Sequence, residues 1–463
     1  MDKAHEYRKT LMSLVDAIQQ SIKVCKSDGR LKPVVMETSQ TVVEKFDYSE
    51  EGAIGCQIHG KPIKKTIWWG THPALVEEVK KRPEYEATSR ILETEPTLKI
   101  HSEYILEKFI DKVANATLEH PDNADTLVVP IVTNLIKSLC NEPVERKAVV
   151  WLVGIVPQPN ETRFFIDDME VALRRTLKED LETREFTHGL EYRHDTLPTA
   201  VLTLCYKSTT SQGLQEKVDE SITVARLFRL SSVRWLSIYM SSESITDSMV
   251  SGRLGAGRGE YSLEKLKMQK EDDEKLRLFW QTIMAHLPRG FYLPDAAKVD
   301  FRDIAYARYC DALLHNGVWE RRVANGVMGL EAIYLGPSEM QELSFRLRIR
   351  LAKVLGYLGF DIKLLQDVTN HAYEVRSKYV HGSQTSFNDR KKLEKTYGDI
   401  ASFTRMVLDY LRISIIVMTM IRLSKDELLD LIDDALIDKR KETQLYTVLG
   451  SSTNLVSLAR VTP

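Results

Sequence analysis

The segment "EVRSKYVHGS", residues 374–383, contains an arginine and a histidine separated by four residues. An imidazole that titrates near neutral pH can accept a proton, and a guanidinium can make two hydrogen bonds to a phosphate. Arg376 and His381 are therefore candidates for proton transfer and phosphate binding. The spacing alone carries little weight, because a chain with this many arginines and histidines contains roughly one such pair by chance. Arg308 and His315 fit a looser version of the pattern.

The simplest interpretation of the pair is an ordinary helix end. Arg376 would then be a surface arginine, and His381 would lie in the last turn of a helix that ends at Gly382. The surroundings favour more than this, because a polar loop and another apolar helix follow the motif. Basic residues are also frequent in the preceding segments and within the motif: Arg321, Arg322, Arg346, Arg348, Arg350, Lys353 and Lys378.

Three consecutive segments leading to the motif have the apolar spacing of amphipathic helices. They cover residues 318–336, 342–359 and 364–382, and a further helix is predicted over 390–422 with a shorter acidic one over 425–438. Each helix would place one apolar face in the core of a bundle. In the third segment this stripe consists of Leu365, Val368, Ala372, Val375 and Tyr379.

The first 240 residues mix predicted helices and strands. Helices are predicted over 1–28 and about 99–140. Strands are predicted at 41–49, 53–60 and 199–208, and a strand, turn and strand within 148–176. Small, polar and glycine residues dominate between Ser241 and Ser262, which is typical of a linker or mobile loop.

The predicted fold class is therefore α+β, with a mixed α/β domain followed by an all-α bundle. The expected divisions are a regulatory or sensing region over 1–240, a flexible glycine- and serine-rich linker over 241–261, the bundle over 262–440 and a tail over 441–463. A chain of 463 residues exceeds the usual size of a single core, which agrees with two domains.

Several segments resemble nucleotide or metal sites without completing them. "GCQIHGKP" at 55–62 has proline where a phosphate loop needs serine or threonine, and "GRLGAGRG" at 252–259 follows a polar stretch instead of a strand. Cys56 and His59 have no second ligand pair nearby. The acidic residues Asp167, Asp168 and Glu170 are interpreted as a solvated hairpin edge. No metal and no cofactor are predicted.

Bulk properties restrict the location and partners. The net charge of −2 gives no global positive field, so a nucleic-acid partner would need a local basic patch. The charged N-terminus is unlike a signal peptide, and the longest apolar runs are too short to cross a bilayer. Five widely spaced cysteines indicate reduced thiols. We therefore expect a cytoplasmic protein with no membrane partner.

Residues of about 300–422 resemble the HEPN domain, particularly its ApeA-like branch. The resemblance is carried by "GVMGLEAIYL", with its central Leu-Glu pair, by "RLRIRLAKVLG", and above all by "YEVRSKYVHG", which looks like that branch's Arg-Ser-x-x-x-His-Gly signature. Residues 147–240 are also similar to the region that often precedes this domain. Many HEPN nucleases have Asn, Asp or His directly after the arginine, where this chain has Ser377.

The resemblance implies metal-independent cleavage of RNA. His381 would act as the base on a ribose 2′-hydroxyl, and Arg376 would bind the phosphate, leaving a 2′,3′-cyclic phosphate. Ser377, Lys378 and Arg350 would support the site or contact RNA. On one helix Arg376 and His381 lie roughly 140° apart. HEPN domains typically pair their motifs across a two-fold axis, so we expect a homodimer.

The leading hypothesis is an effector in prokaryotic antiphage defence or stress, whose N-terminal region responds to an unknown trigger. The main alternative is a non-catalytic HEPN scaffold or an antitoxin-like interaction module. A helical regulator unrelated to HEPN proteins is the third interpretation.

Overall fold

The computed structural model describes residues 3–49, 52–67, 71–94, 101–182, 197–209, 213–242, 250–253, 265–292, 299–315 and 317–460. Five helices precede the main sheet: α1 (Lys3–Ser27), α2 (Thr71–Lys80), α3 (Pro83–Thr94), α4 (Ser102–Glu119) and α5 (Ala124–Leu139). Three lie beside or between strands: α6 (Lys178–Glu182), α7 (Leu214–Phe228) and α8 (Asp272–Met284). Eight more build the C-terminal bundle: α9 (Phe301–Leu314), α10 (Trp319–Tyr334), α11 (Leu343–Tyr357), α12 (Ile362–Val380), α13 (Phe387–Tyr397), α14 (Ile400–Met420), α15 (Lys425–Asp434) and α16 (Lys439–Ala459).

The strands form three separate sheets. A long antiparallel hairpin consists of β1 (Val34–Ser49) and β2 (Gly52–Ile67). The main sheet contains β3 (Val144–Val153), β5 (Thr162–Ile166), β6 (Met169–Arg175), β7 (Ala200–Ser208), β8 (Arg234–Ser242) and β9 (Val250–Arg253). Its strands are antiparallel in the order β5-β6-β7-β3-β8-β9. The short β4 (Ile155–Val156) and β10 (Leu266–Lys267) pair in parallel. The predicted class, a mixed α/β region followed by a helical bundle, is confirmed.

The buried apolar residues divide the described chain at a different place from the predicted 240/241 boundary. One large cluster runs from Tyr7 to Leu139 and belongs to the first five helices. A second and larger cluster runs from Ala148 to Ala459, so the main sheet and the bundle share a single core. A small third cluster joins Val43 of the hairpin to Trp151 of β3.

The expected linker and tail both contain regular structure. Within 241–261, Ser242 ends β8 and residues 250–253 form β9; residues 243–249 and 254–261 lie outside the described residues. Most of the expected tail belongs to α16, which buries Leu445, Leu449, Leu455, Val456 and Ala459. Two groups of apolar residues in "QLYTVLGSSTNLVSLA" already carry this signal. Within each group the residues repeat at intervals of three and four: Leu445, Val448 and Leu449, and then Leu455, Val456 and Ala459.

The helix predicted over 390–422 is two helices. Gly398 separates α13 from α14 with a φ of +89°, in a region of backbone space that favours glycine. Asp399 then caps α14 by accepting a hydrogen bond from the backbone N–H of Ser402. A glycine followed by an N-capping aspartate therefore ends one helix and begins the next. The apolar spacing continues across both helices and does not reveal the break.

Helix α10 packs very closely on α14 because two of its residues lack side chains. A Cβ added to Gly329 would lie 2.5 Å from Leu411 Cδ2, and one added to Gly326 would lie 2.9 Å from Val407 Cγ1. Real Cβ atoms do not approach other atoms so closely, so a side chain at either position would force Leu411 or Val407 to shift. The close approach fixes the position of α10, which carries Glu331 towards α12.

Candidate functional site

Helix α12 carries the motif and begins at a conventional cap. The Asp361 side chain accepts a hydrogen bond of 2.7 Å from the backbone N–H of Leu364. Four residues of the predicted stripe, Leu365, Val368, Ala372 and Val375, are buried. The fifth, Tyr379, is 37% exposed, so the prediction was wrong there. The buried apolar face of α12 therefore ends at Val375, directly before Arg376.

The helix ends at His381 in the geometry that its sequence predicts. The backbone N–H of His381 donates to Ser377 O, that of Gly382 to Tyr379 O and that of Ser383 to Lys378 O, at 3.1, 3.1 and 2.8 Å. Gly382 has a φ of +74° and so supplies the left-handed residue of this C-terminal motif. His381 itself is exposed, and its imidazole is accessible from solvent.

Arg376 faces the bundle and contacts a carboxylate on α10. Its Nη2 donates to Glu331 Oε2 at 3.1 Å, and its guanidinium lies 5.7 Å from the ring centroid of Tyr373. The two charged side chains are only 25% and 15% exposed. Nε of Arg376 is buried and has no hydrogen-bond partner among the described residues. The guanidinium is therefore oriented by one carboxylate but not saturated.

Burial dominates the electrostatics of this contact. It raises the pKa of Glu331, although Arg376 acts in the opposite direction by charge and hydrogen bonding. Burial also raises the pKa of Tyr373, and the negative charge of Glu331 raises it further. The charge of Glu331 consequently depends on the arginine beside it.

Lys378 and Ser377 support the end of the helix in different ways. Lys378 Nζ lies 2.7 Å from Asp389 Oδ2, and Ser386 Oγ also donates to that oxygen at 2.7 Å. Since Ser386 caps α13, these contacts tie the end of α12 to the start of α13. The hydrogen bond from Lys378 is the main reason that the pKa of Asp389 is lowered. Ser377 contributes its carbonyl to the end of α12.

Arg350 does not belong to this site. Its side chain is 3% exposed, and it forms ion pairs of 2.6 Å with both Glu339 and Asp433. It also donates to Tyr334 O at 2.7 Å. These partners occupy the guanidinium of Arg350 on α11, so its assignment as an RNA-binding or supporting residue of the motif is corrected. A basic residue on an apolar stripe of a helix indicates burial more than ligand binding.

Glu331 is the residue whose role the sequence left unassigned. It follows Leu330 in the Leu-Glu pair of α10, one position away from a buried stripe, and such a position brings a carboxylate to the edge of a core. Spacing within α12 cannot reveal it, because the partner is 45 residues away.

The other motifs lie in strands or in the connection between two strands, or fall outside the described residues. Residues 55–62, with Cys56 and His59, lie within β2 and do not form a loop before a helix. Of "GRLGAGRG", residues 252–253 belong to β9 and the rest lies outside the described residues. Asp167 and Asp168 connect β5 to β6, which confirms a hairpin. Within the described ranges, no group of three or more His, Cys, Asp or Glu side chains is arranged to hold a metal.

Arg308 and His315, the looser Arg/His pair, share one carboxylate. They lie 3.4 and 3.3 Å from the two oxygens of Asp311 at the end of α9. Both are substantially exposed and belong to a local surface ion pair, so they provide a matched control for the motif.

Comparison of the chain with family models, with curated proteins and with solved structures found no match. None of the helices in the described part of the chain is long and apolar enough to span a membrane.

Proposed function

We propose that the protein is a metal-independent endoribonuclease of the HEPN type. The observation that carries the proposal is the arrangement at the end of α12. Arg376 is half-buried and oriented by Glu331 without being saturated, while His381 is exposed one turn further along the helix. This combination gives a positioned cation for a phosphate and an accessible imidazole for a proton, and it needs no metal.

In the proposed reaction, His381 takes the proton of a ribose 2′-hydroxyl. The resulting oxyanion attacks the adjacent phosphorus, and the bond from phosphorus to the 5′-oxygen breaks. The products are a 2′,3′-cyclic phosphate and a 5′-hydroxyl, whose proton comes from water or from a second imidazolium. Arg376 binds the non-bridging oxygens and stabilises the charge that develops on them. DNA lacks the attacking hydroxyl and is therefore resistant.

The active form is proposed to be a homodimer with the two motifs facing each other. Arg376 points towards α10 and His381 towards solvent, so one helix alone presents them in different directions. Apolar side chains around the motif support a contact surface there, since Tyr379, Val380 and Phe387 are 37%, 51% and 69% exposed. Each cleft would then combine residues of two protomers.

The proposed biological role is that of a cytoplasmic effector in prokaryotic antiphage defence or stress. The N-terminal region would sense a trigger or partly restrain the nuclease, and the full chain would keep a basal activity. The large separate core of α1–α5 supports a role distinct from that of the bundle.

The decisive test is incubation of the full chain with total RNA, with and without EDTA. We expect EDTA-resistant cleavage, 2′,3′-cyclic phosphate ends and intact DNA. Cleavage that EDTA abolishes would refute the proposal. So would the absence of cleavage from a protein that light scattering shows to be a folded dimer.

The second candidate function is a non-catalytic HEPN scaffold or antitoxin-like module. The contact between Glu331 and Arg376 favours it, because a carboxylate beside the guanidinium competes with phosphate. A dimer that binds a partner protein and leaves RNA intact under all conditions would identify this function.

A further inference from the structure

Helix α13 directly follows the motif and has a basic outer face. Its inner face is defined by two buried side chains, Leu393 and Tyr397. At 100° per residue, the point opposite these two lies close to Lys395, with Lys391 and Lys392 roughly 40° and 60° away on either side. All three lysines are exposed. They form a ridge along the outside of α13, which we call the lysine ridge.

The carboxylates of α13 are paired with cations outside the ridge. The helix carries four basic and two acidic side chains. Asp389 Oδ2 lies 2.7 Å from Lys378 Nζ on α12, and Glu394 Oε1 lies 2.9 Å from Arg390 Nε. Within the described ranges of the chain, no carboxylate forms an ion pair with any of the three ridge lysines. The ridge therefore keeps a positive charge that ion pairs do not compensate.

Carboxylates on the neighbouring helices have other positions or partners. Burial and the charges of Asp367 and Glu374 on α12 raise the pKa of Tyr397 to about 12, which places these two carboxylates near the inner face of α13. Asp399, which follows α13, accepts a hydrogen bond from the backbone N–H of Ser402 at the start of α14. Of the residues of α13, all of which the structure describes, none within the arc of the ridge is acidic.

The lysine ridge begins beside the motif. The ion pair between Lys378 and Asp389 joins α12 to α13 within the motif. Measured from Asp389, Lys391 and Lys395 lie roughly 3 and 9 Å further along the axis of α13. Lys391 Nζ also lies 4.6 Å from the ring centroid of Phe387, which belongs to the apolar surface proposed for the dimer contact. A nucleic-acid strand with one phosphate at the motif can therefore continue along the ridge.

We propose that the lysine ridge binds the backbone of single-stranded RNA next to the bond that is cleaved. This inference rests on the proposed nuclease function and specifies its substrate as an unpaired strand. An ammonium group contacts a phosphate as a point charge and does not read the bases, so the ridge positions the strand without sequence preference. Attack by the 2′-oxygen also requires the backbone to leave its helical geometry, which favours unpaired RNA.

Binding of a short, single-stranded 2′-O-methyl RNA to the full chain tests the proposal, because the methyl group removes the attacking hydroxyl and prevents cleavage. The variant is Lys391→Gln with Lys392→Gln and Lys395→Gln, which keeps residues that suit a helix. We expect at least about tenfold weaker binding at roughly 0.1 M salt, because each phosphate contact releases counterions. The slope of log K against log salt concentration should fall by about 0.7 for each lysine.

The matched control is Lys3→Gln with Lys9→Gln and Lys23→Gln on α1. It removes three exposed helical lysines that, among the described residues, also form no ion pair, and it should bind as the wild type does. Equal losses in both variants would show that net charge, and not the ridge, holds the strand. Unchanged affinity and salt slope in the ridge variant, or no binding by the wild type at roughly 0.1 mM, would overturn the proposal.

A cleavage assay separates this proposal from the nuclease itself. With unmodified RNA, the ridge variant should raise KM at least about tenfold and leave kcat near the wild-type value, because the ridge binds the strand away from the reacting atoms. Cleavage with an unchanged KM would keep the nuclease and refute the ridge. Ridge-dependent binding of the methylated strand without any cleavage of RNA would keep the ridge as an RNA-binding surface and refute the nuclease.

Discussion

Two arginine–glutamate contacts in the bundle differ in the number of further hydrogen-bond partners that the arginine has. Arg350 has a second carboxylate and a carbonyl besides Glu339, and its hydrogen bonds are the main reason that the pKa of Glu339 is lowered to about 2. Arg376 has Glu331 on one nitrogen, and burial raises the pKa of Glu331 despite that contact. A saturated guanidinium fixes structure, whereas an unsaturated one keeps donors for a ligand.

The largest expected effect is on RNA cleavage. It tests whether the end of α12, where Arg376 has a single carboxylate partner, is the active site. His381→Ala should reduce RNA cleavage by about 100- to 10,000-fold, the usual loss when a general base is removed. Because His381 is exposed, the free energy of unfolding should change by less than about 0.5 kcal/mol. Single-turnover cleavage and chemical denaturation measure the two quantities.

The control for His381 is His315→Ala, which removes the exposed histidine of the looser pair and should leave cleavage unchanged. Cleavage by His381→Ala at the wild-type rate would show that the motif has no catalytic role and is only the end of a helix.

The next largest effect is on the free energy of unfolding, and it tests the contacts of Arg350. Arg350→Ala should lower the free energy of unfolding by about 3 kcal/mol or more, because it leaves carboxylates and a carbonyl without their buried partner. Arg346→Ala is the matched control, since Arg346 also contacts Glu339 but is 42% exposed; it should lose less than about 1 kcal/mol. Urea denaturation measures both, and equal losses would contradict the assigned difference.

A smaller effect is expected from Arg376→Ala. Removing the guanidinium leaves Glu331 without its counter-charge in a site where burial already raises the pKa of Glu331. We expect a loss of about 1–2 kcal/mol of stability. Adding Glu331→Gln should recover part of that stability, because an amide carries no charge, but should not recover cleavage. If the double variant is no more stable than Arg376→Ala, the two residues are not energetically coupled.

The two glutamates should also change the dependence of stability on pH, and their contributions should have opposite signs. The pKa of Glu339 is lowered on folding, so its contribution is present above about pH 4.5 and is lost as the pH falls towards 2. The pKa of Glu331 is raised, so its contribution is present below about pH 4.5 and is lost as the pH rises through the folded value.

Unfolding at several pH values in Glu339→Gln and Glu331→Gln measures these contributions. Relative to wild type, Glu339→Gln should gain as the pH falls below 4.5, and Glu331→Gln should gain as it rises above 4.5. Shifts of the same sign in both variants would remove the contrast between the two pairs.

Local patterns predicted the helices well and the long-range partners poorly. The stripe of α12 was correct through Val375, and Gly382 ended the helix as expected. Tyr379 was misplaced because periodicity cannot show where a neighbouring helix stops covering a face. Gly398 and Asp399 divided a predicted helix by cap chemistry that apolar spacing does not record.

The site shows the same limit. Arg376 and His381 are five residues apart, and their spacing was readable, whereas Glu331 and Glu339 reach their arginines only through tertiary packing. In the sequence Arg350 and Arg376 are both simply arginines on amphipathic helices. The structure shows that Arg350 has several hydrogen-bond partners, whereas Arg376 has one carboxylate partner. Hydrogen-bond saturation is a property of the fold, so no pattern along the chain could distinguish them.

The gap between the two large apolar clusters also bears on where a gene for this chain could exchange segments with a related gene. Cluster residues end at Leu139 and resume at Ala148, so a crossover at residues 140–143 would keep both large cores intact. It would separate the hairpin from the main sheet, at the small cluster around Val43 and Trp151 and at the hydrogen bond that Tyr48 Oη donates to Thr199 O. A crossover near residue 262 would instead cut through packing between the sheet and the bundle. Shuffling between related genes should therefore attach new leading segments before β3, and inherit the sheet together with the bundle.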